Sequence, residues 1–348
     1  ALELQSGEYG EGLSEATREL AKAGRLKPIP NAISRIEFRG FSSAGEMHRL
    51  KPKAKAATQA FLGLSRDSEA PLIYMFSRLD PWQKGTDLFL QNLEKILQRG
   101  AQVVFISEVG SEEEKKKFEQ AQGHLENKYP GQLSIHVRTK PSLPQAIELE
   151  PGYTESRADA VFMAGSDMIL IPSRYEPFGV NLLIGFLYGT VPIARKTGGL
   201  SEFGRHYDPV LHPDGNSILF DDFTNEAFYE AVSNAVLIYR QNRGQWQQIM
   251  ENGVNADFSW KNRIGDIAEY YRSGFVREVD ALESEALQSQ DSDKIRMILE
   301  HLDRFKGRFP FMKDRADQAL GAIEAHRVVS GARLAGHDVK IPLAMELW

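Results

Sequence analysis

The chain alternates between two apolar rhythms. Short apolar runs at residues 71–76 (P-L-I-Y-M-F), 102–106 (Q-V-V-F-I), 133–137, 168–171 and 191–194 have the length and side chains of buried strands. Between them, apolar positions recur at helical spacing. Over residues 86–98, Leu88, Phe89, Leu93, Ile96 and Leu97 mark one helix, and Gly100 stops it. Further helices are expected at residues 156–165, 181–188, 225–240 and 260–273. Residues 112–117 (E-E-E-K-K-K) read as a solvated helix face, where each carboxylate–lysine pair stabilises by about 0.2–0.5 kcal/mol.

Short strands alternating with helices imply a parallel sheet built from right-handed βαβ units. The expected fold class is therefore α/β, a Rossmann-like doubly wound parallel sheet over residues 69–276. In such sheets ligands sit beyond the carboxyl ends of the strands. Residues 1–68 read as a glycine- and lysine-rich lead with no sheet of its own. Residues 277–348 read as a helical extension and a tail, with a strand signal only at 339–343. In the extension Ile295, Met297, Ile298, Leu299 and Leu302 share helical spacing, as do Ala316, Ala319, Leu320 and Ile323. That predicts a helical hairpin docked on the α/β domain or on a partner, not a free tail. No internal repeat or low-complexity tract interrupts the chain.

Composition narrows the chemistry. With 348 residues, 42% of them apolar, the chain can bury a full core. A net charge of −6 argues against a polyanion-binding face, so nucleic acid is not an expected partner. The absence of cysteine excludes disulfides, thiolate metal sites and thiol nucleophiles. No apolar run approaches the roughly 18 residues needed to span a bilayer, so no membrane association is expected. Nothing at the start resembles a signal peptide. The chain opens at Ala1 without a methionine, which fits a processed protein or a piece of a longer one.

Three loops at expected strand ends carry candidate chemistry. Arg78 follows the first strand, and Lys84-Gly85 opens the next helix; a guanidinium and an ammonium beside a helix N-terminus suit a diphosphate. Two ordinary surface cations are the plainer reading of the pair. Glu176-Pro177-Phe178-Gly179 follows the fourth strand, and the N–H groups of Phe178, Gly179 and Val180 would point at an anion or at sugar hydroxyls. Here the plainer reading is a capped helix start, with Glu176 complementing the helix dipole. Thr197-Gly198-Gly199-Leu200 follows the fifth strand and offers a second nest of backbone donors. All three lie on one edge of the sheet, which makes them more informative together than singly. His206 and His212 lack carboxylate companions at metal-binding spacing, so no metal site is expected. Trp82 and Tyr175 suit either stacking on sugar or base, or core packing.

The motifs S-R-L…Q-K-G, P-S-R-Y-E-P-F-G, Y-G-T-V-P-I-A-R-K-T-G-G-L and D-F-S-W, in this order, resemble the C-terminal domain of bacterial glycogen and starch synthases. That family consists of retaining glucosyltransferases with two Rossmann-like domains, the GT-B arrangement. The resemblance covers about residues 25–276, and residues 3–13 (E-L-Q-S-G-E-Y-G-E-G-L) resemble the stretch where the family's N-terminal domain ends. It implies that Arg78 and Lys84 bind the donor diphosphate and stabilise it as it leaves. Glu176 would hold hydroxyls of the transferred glucose. Backbone groups at Phe178, Gly179, Val180, Thr197, Gly198 and Gly199, with Leu200, would complete the cradle. The implied donor is ADP-glucose or UDP-glucose, the acceptor an α-1,4-glucan, the cofactor none, and the compartment the cytoplasm, or a plastid in a plant or alga.

Four features depart from the family pattern. Ile184 stands where a second glutamate is usual, and Met163 stands where a tyrosine lies against the base. The S-R-L-D-P-W-Q-K-G loop is one residue longer, and the turn after the second strand reads S-E-V-G (107–110). The family's N-terminal catalytic domain is not in this sequence, and it is an implied partner. The expected activity is glucosyl transfer by the donor-binding half of such an enzyme, inactive without the other half. The alternatives are a degenerate module that binds sugar nucleotide or glucan without turnover and, on fold alone, a sugar-nucleotide epimerase.

Overall fold

The computed structural model describes residues 13–26, 31–137, 147–151, 153–155 and 157–334. It divides into two compact units, Ala1–Arg263 and Ile264–Trp348. The first contains helices α1 (Ser14–Lys22) and α2 (Ala44–Phe61), then β1 (Leu72–Phe76), α3 (Pro81–Lys84), α4 (Thr86–Gln98), β2 (Gln102–Ser107), α5 (Glu112–Lys128) and β3 (Leu133–Val137). After these come β4 (Ile147–Glu150), β5 (Tyr153–Glu155), α6 (Ala158–Gly165), β6 (Met168–Ile171), α7 (Val180–Leu187), β7 (Val191–Arg195) and α8 (Gly198–Phe203). The unit closes with β8 (Ile218–Phe220), α9 (Asn225–Gln241) and α10 (Arg243–Asn255).

Six strands form one parallel sheet in the order β3-β2-β1-β6-β7-β8, and β4 pairs with β5 as a separate antiparallel hairpin. The chain runs outward from β1 through β2 to β3, then returns to lay β6 against the other side of β1. That reversal opens a crevice beyond the carboxyl ends of β1 and β6, where doubly wound folds take ligands. The central strands are buried on both faces, as their uninterrupted apolar runs require. Among the described residues no helix is long and apolar enough to cross a membrane.

All five expected strands and the helix at residues 86–98 are present. Others were hidden by their sequences. Helix α2 lies in the stretch read as a lead with no sheet of its own, for which no helix was expected, and its Met47, Leu50 and Ala54 pack into the same core as the sheet. Its apolar stripe is interrupted by Lys51 and Lys55, which are nevertheless buried. The Lys51 ammonium lies within hydrogen-bonding distance of the carbonyls of Ala164 (3.2 Å), Ser166 (2.6 Å) and Tyr188 (3.1 Å) and of Thr190 Oγ1 (3.0 Å). Desolvation still lowers its pKa to about 7. Lys55 donates to the carbonyls of Ser68 and Ala70, to Asp167 Oδ2 at 2.8 Å and to the Tyr239 hydroxyl at 2.8 Å. Burial works against its charge, but Asp167 and Tyr239 outweigh that and hold its pKa above the usual lysine value.

The second unit consists of α11 (Ile264–Gln288), α12 (Ser292–Arg308) and α13 (Lys313–Leu334). Its own core joins Val279 and Ala286 of α11 to Ile295, Ile298 and Leu302 of α12 and to Ala319 and Ile323 of α13. The expected hairpin thus gains a third helix, which begins at Ile264, inside the stretch assigned to the α/β domain. Met297, placed in the apolar stripe by spacing, is exposed. The strand signal at 339–343 and residues 3–12 of the motif at 3–13 lie outside the described residues.

Candidate functional site

The loop after β1 is built to hold two cations at the crevice. Leu79 N–H donates to Val109 O at 2.7 Å, tying this loop to the S-E-V-G turn after β2. Asp80 caps α3, its Oδ1 accepting from Gln83 N–H at 2.8 Å, and Pro81 occupies the first helical turn, where its missing donor costs nothing. Gly85, in the left-handed region at φ 65°, ends α3 and starts α4. The result sets Lys84 against the loop after β6. Its Nζ lies 2.6 Å from Glu176 Oε2, with both side chains largely buried. Ser173 Oγ donates to the same carboxylate oxygen at 3.2 Å. Arg78 is more exposed; its Nη2 donates to Gln83 Oε1 at 2.5 Å and lies 3.9 Å from Asp80 Oδ2.

Arg78, Lys84 and Glu176 therefore converge, as their positions at strand ends led us to expect. They line a cavity of about 290 Å³ together with Glu108, Ser173 and Asn181. A smaller cavity of about 120 Å³ shares Lys84, Glu176 and Asn181 and adds Gly179, Val180 and Leu200. The N–H groups of Phe178, Gly179 and Val180 cap the start of α7 and carry no hydrogen bond among the described residues. They give this helix end its partial positive charge.

The second glycine turn behaves differently from expectation. Gly199 N–H is spent on Glu176 O at 2.8 Å, and Leu200 N–H on Thr197 O at 2.9 Å. A Cβ on Gly199 would stand 2.6 Å from the carbonyl carbon of Phe178, and one on Gly179 would stand 3.1 Å from that of Gly199. The two turns pack backbone against backbone, which no side chain would permit. Thr197, Gly198 and Gly199 line neither cavity; Leu200 lines the smaller one. The Gly198-Gly199 turn fixes Glu176 by holding its carbonyl.

Met163 does not reach the cavity either. It sits in α6, where every residue but Asp159 is buried, and is only 3% exposed; its carbonyl accepts a hydrogen bond from Thr190 Oγ1. Ile184 is buried in α7. Of the two histidines, His206 Nδ1 accepts from Leu219 N–H at 2.9 Å, and His212 Nδ1 faces Arg205 at 3.2 Å. No group of three or more potential metal ligands exists among the described residues.

Sequence reasoning missed Asn181, Ser173 and Glu108. Asn181 lines both cavities, and its Nδ2 donates to Phe76 O at 3.1 Å, which stitches α7 to the end of β1. Its place in the first turn of a helix after a glycine was a usable signal. A larger cavity, about 530 Å³, lies elsewhere, among Lys51, Lys55, Asp67, Asp167 and Arg243. These residues gather before the amino ends of β1 and β6. Size favours that cavity, but its lysines are saturated by internal acceptors. The smaller crevice has two cations, two carboxylates and the open helix end, which makes it the candidate site.

Residues 70–237 match the family described as Glycosyl transferases group 1. The chain is 33% identical over 279 residues to a glycogen synthase of Kosmotoga olearia, covering 78% of this chain and 53% of that protein. It is 31% identical over 273 residues to a glycogen synthase of Desulfitobacterium hafniense, covering 78% and 52%. Among solved structures it resembles the catalytic domain of starch synthase IV from Arabidopsis thaliana bound to ADP and acarbose, with a TM-score of 0.65 and 25% identity, over 78% of this chain and 53% of that one. The chain spans about half the length of the curated relatives it matches. Residues 70–237 thus match a group 1 glycosyl transferase domain, and the six-stranded parallel sheet within them is Rossmann-like, of the GT-B kind.

Proposed function

We propose that this chain is the donor-binding half of a retaining glucosyltransferase, taking glucose from ADP-glucose or UDP-glucose to an α-1,4-glucan in the cytoplasm without a metal or cofactor. The observation that carries this reading is the meeting of Lys84 with Glu176 at 2.6 Å, at the switch point between β1 and β6 and beside the open N-terminus of α7. A diphosphate in this crevice would take charge-assisted hydrogen bonds from Arg78 and Lys84 and backbone bonds from Phe178, Gly179 and Val180. Those donors are fixed before the reaction, so they stabilise the charge that develops on the leaving diphosphate without reorganising. Glu176, an acceptor once ionised, would take hydroxyl protons of the glucose while Ser173 and the Gly199 N–H hold its position.

An opposing domain, the implied N-terminal half, would supply the other wall of the cleft and exclude water from it. It is a proposed partner, as are the nucleotide sugar and the glucan.

Glu176→Gln separates the sugar-reading role from a structural one. The amide keeps the shape but weakens acceptance from hydroxyls, and it releases Lys84 from its counter-charge. Calorimetric affinity for ADP or UDP is therefore expected to hold or rise slightly, while the preference for the glucose-bearing donor over the bare diphosphate falls. Equal losses for both ligands would make the carboxylate a helix cap and would sink its role in sugar binding.

A further inference from the structure

We propose that Trp82 and Tyr175 form a stacking platform for the hexose rings of an α-glucan, outside the donor crevice. The proposal rests on the donor-half reading for its choice of ligand, but its evidence is separate. Trp82 is 55% exposed. It is also held in place. Arg174 Nε donates to the Trp82 carbonyl at 3.1 Å, and Arg174 N–H donates to Gln83 O at 2.8 Å. The Arg174 guanidinium lies over the Trp82 ring at 5.9 Å and is itself seated on Phe223 at 4.1 Å. The Tyr175 ring meets the indole edge-on, with centroids 5.7 Å apart and planes at 68°.

Two braced rings at an angle, one of them with an open surface, suit a ligand that offers successive apolar faces. Pyranose rings do so: their axial C–H groups carry partial positive charge and meet the negative face of an aromatic ring, while hydroxyls stay at the rim. Location separates this ligand from the donor. Trp82 precedes Lys84 by two residues and Tyr175 directly precedes Glu176, so the platform stands on the same two loops as the reacting end. Yet neither ring lines the cavity that a diphosphate and its sugar would fill. What stacks there arrives from outside, as an acceptor chain does. The extra residue in S-R-L-D-P-W-Q-K-G falls in the loop that carries this tryptophan.

The test measures maltoheptaose and soluble glycogen binding by the 348-residue chain, and ADP and UDP binding in parallel, for wild type, Trp82→Ala and Trp82→Phe. The platform predicts a loss of about tenfold in glucan affinity for Trp82→Ala and partial recovery in Trp82→Phe. Nucleotide affinity in both variants should stay within about twofold of wild type, which also reports intact folding. Unchanged glucan binding in Trp82→Ala overturns the proposal. A parallel fall in ADP and UDP affinity also overturns it, because the ring would then stack on the base. Wild-type chain that binds nucleotide but no glucan refutes the platform and leaves the donor reading standing. Trp82-dependent glucan binding without nucleotide binding would do the reverse.

Discussion

Replacing Asp167 by alanine is expected to destabilise the α/β unit by about 3–5 kcal/mol, the usual cost of removing one partner from a buried ion pair. Asp167 Oδ2 accepts from Lys55 Nζ at 2.8 Å and from Leu72 N–H at 2.8 Å. Both side chains of the pair are less than a tenth exposed. Without the carboxylate, the Lys55 ammonium keeps only neutral acceptors, and the first N–H of β1 loses its partner. Exposed pairs, by contrast, contribute about 0–1 kcal/mol, so the number of surface ion pairs says little here. For a unit of this size the loss should lower Tm by about 6–20 °C. Lys55→Met combined with Asp167→Leu should recover much of it, because no unpaired charge is then left in the core. A urea-unfolding change below about 1 kcal/mol for Asp167→Ala would show that the pair is already hydrated and that the account of α2 is wrong. Nucleotide binding should survive, since this network lies at the amino ends of the strands.

Arg78→Ala and Lys84→Ala are expected to weaken ADP and UDP binding between about tenfold and a hundredfold each, corresponding to about 1.5–3 kcal/mol per charge-assisted bond. Lys84 should have the larger effect. It is mostly buried, and its removal leaves the Glu176 carboxylate facing the incoming phosphates without its counter-charge. Arg78 is more than half exposed, so its contribution should shrink as salt is raised. Calorimetry at two ionic strengths distinguishes the two. Unchanged affinity in both variants would remove the diphosphate assignment.

The fold was legible wherever one rhythm ran uninterrupted. Five strands and α4 follow from apolar runs and helical spacing because burial on both faces of a parallel sheet leaves little room for polar residues. Helix α2 was hidden because Lys51 and Lys55 stand inside its buried stripe; only their tertiary acceptors make that tolerable. The edge strand β8 spans three residues, Ile218–Phe220, too few to show a period. Helix α11, the first of the second unit, was partly absorbed into the preceding domain because helical spacing continues across its start.

At the site, three of the charged residues were legible, whereas Glu108 and the backbone were not. Arg78, Lys84 and Glu176 could be brought together because each lies in a loop after a strand, at the same edge of the sheet. The Thr197-Gly198-Gly199 turn looked like a second anion nest, yet Gly199 answers to the close approach of Phe178 and Gly179, a contact between loops about twenty residues apart. Motif likeness placed Met163 at the base, but the surroundings of α6 decide its exposure, and they bury it.

The central claim is that a nucleoside diphosphate binds at the carboxyl ends of β1 and β6, and amide hydrogen exchange on the 348-residue chain tests it most directly. Saturating ADP or UDP should slow exchange at residues 77–85 and 173–181, above all at the N–H groups of Phe178, Gly179 and Val180, which have no partner among the described residues. Residues 66–70 and 239–250, around the larger cavity at the amino ends, should exchange as they do without ligand. Protection confined to that second region, or no protection at Phe178–Val180 under saturating nucleotide, would contradict the claim.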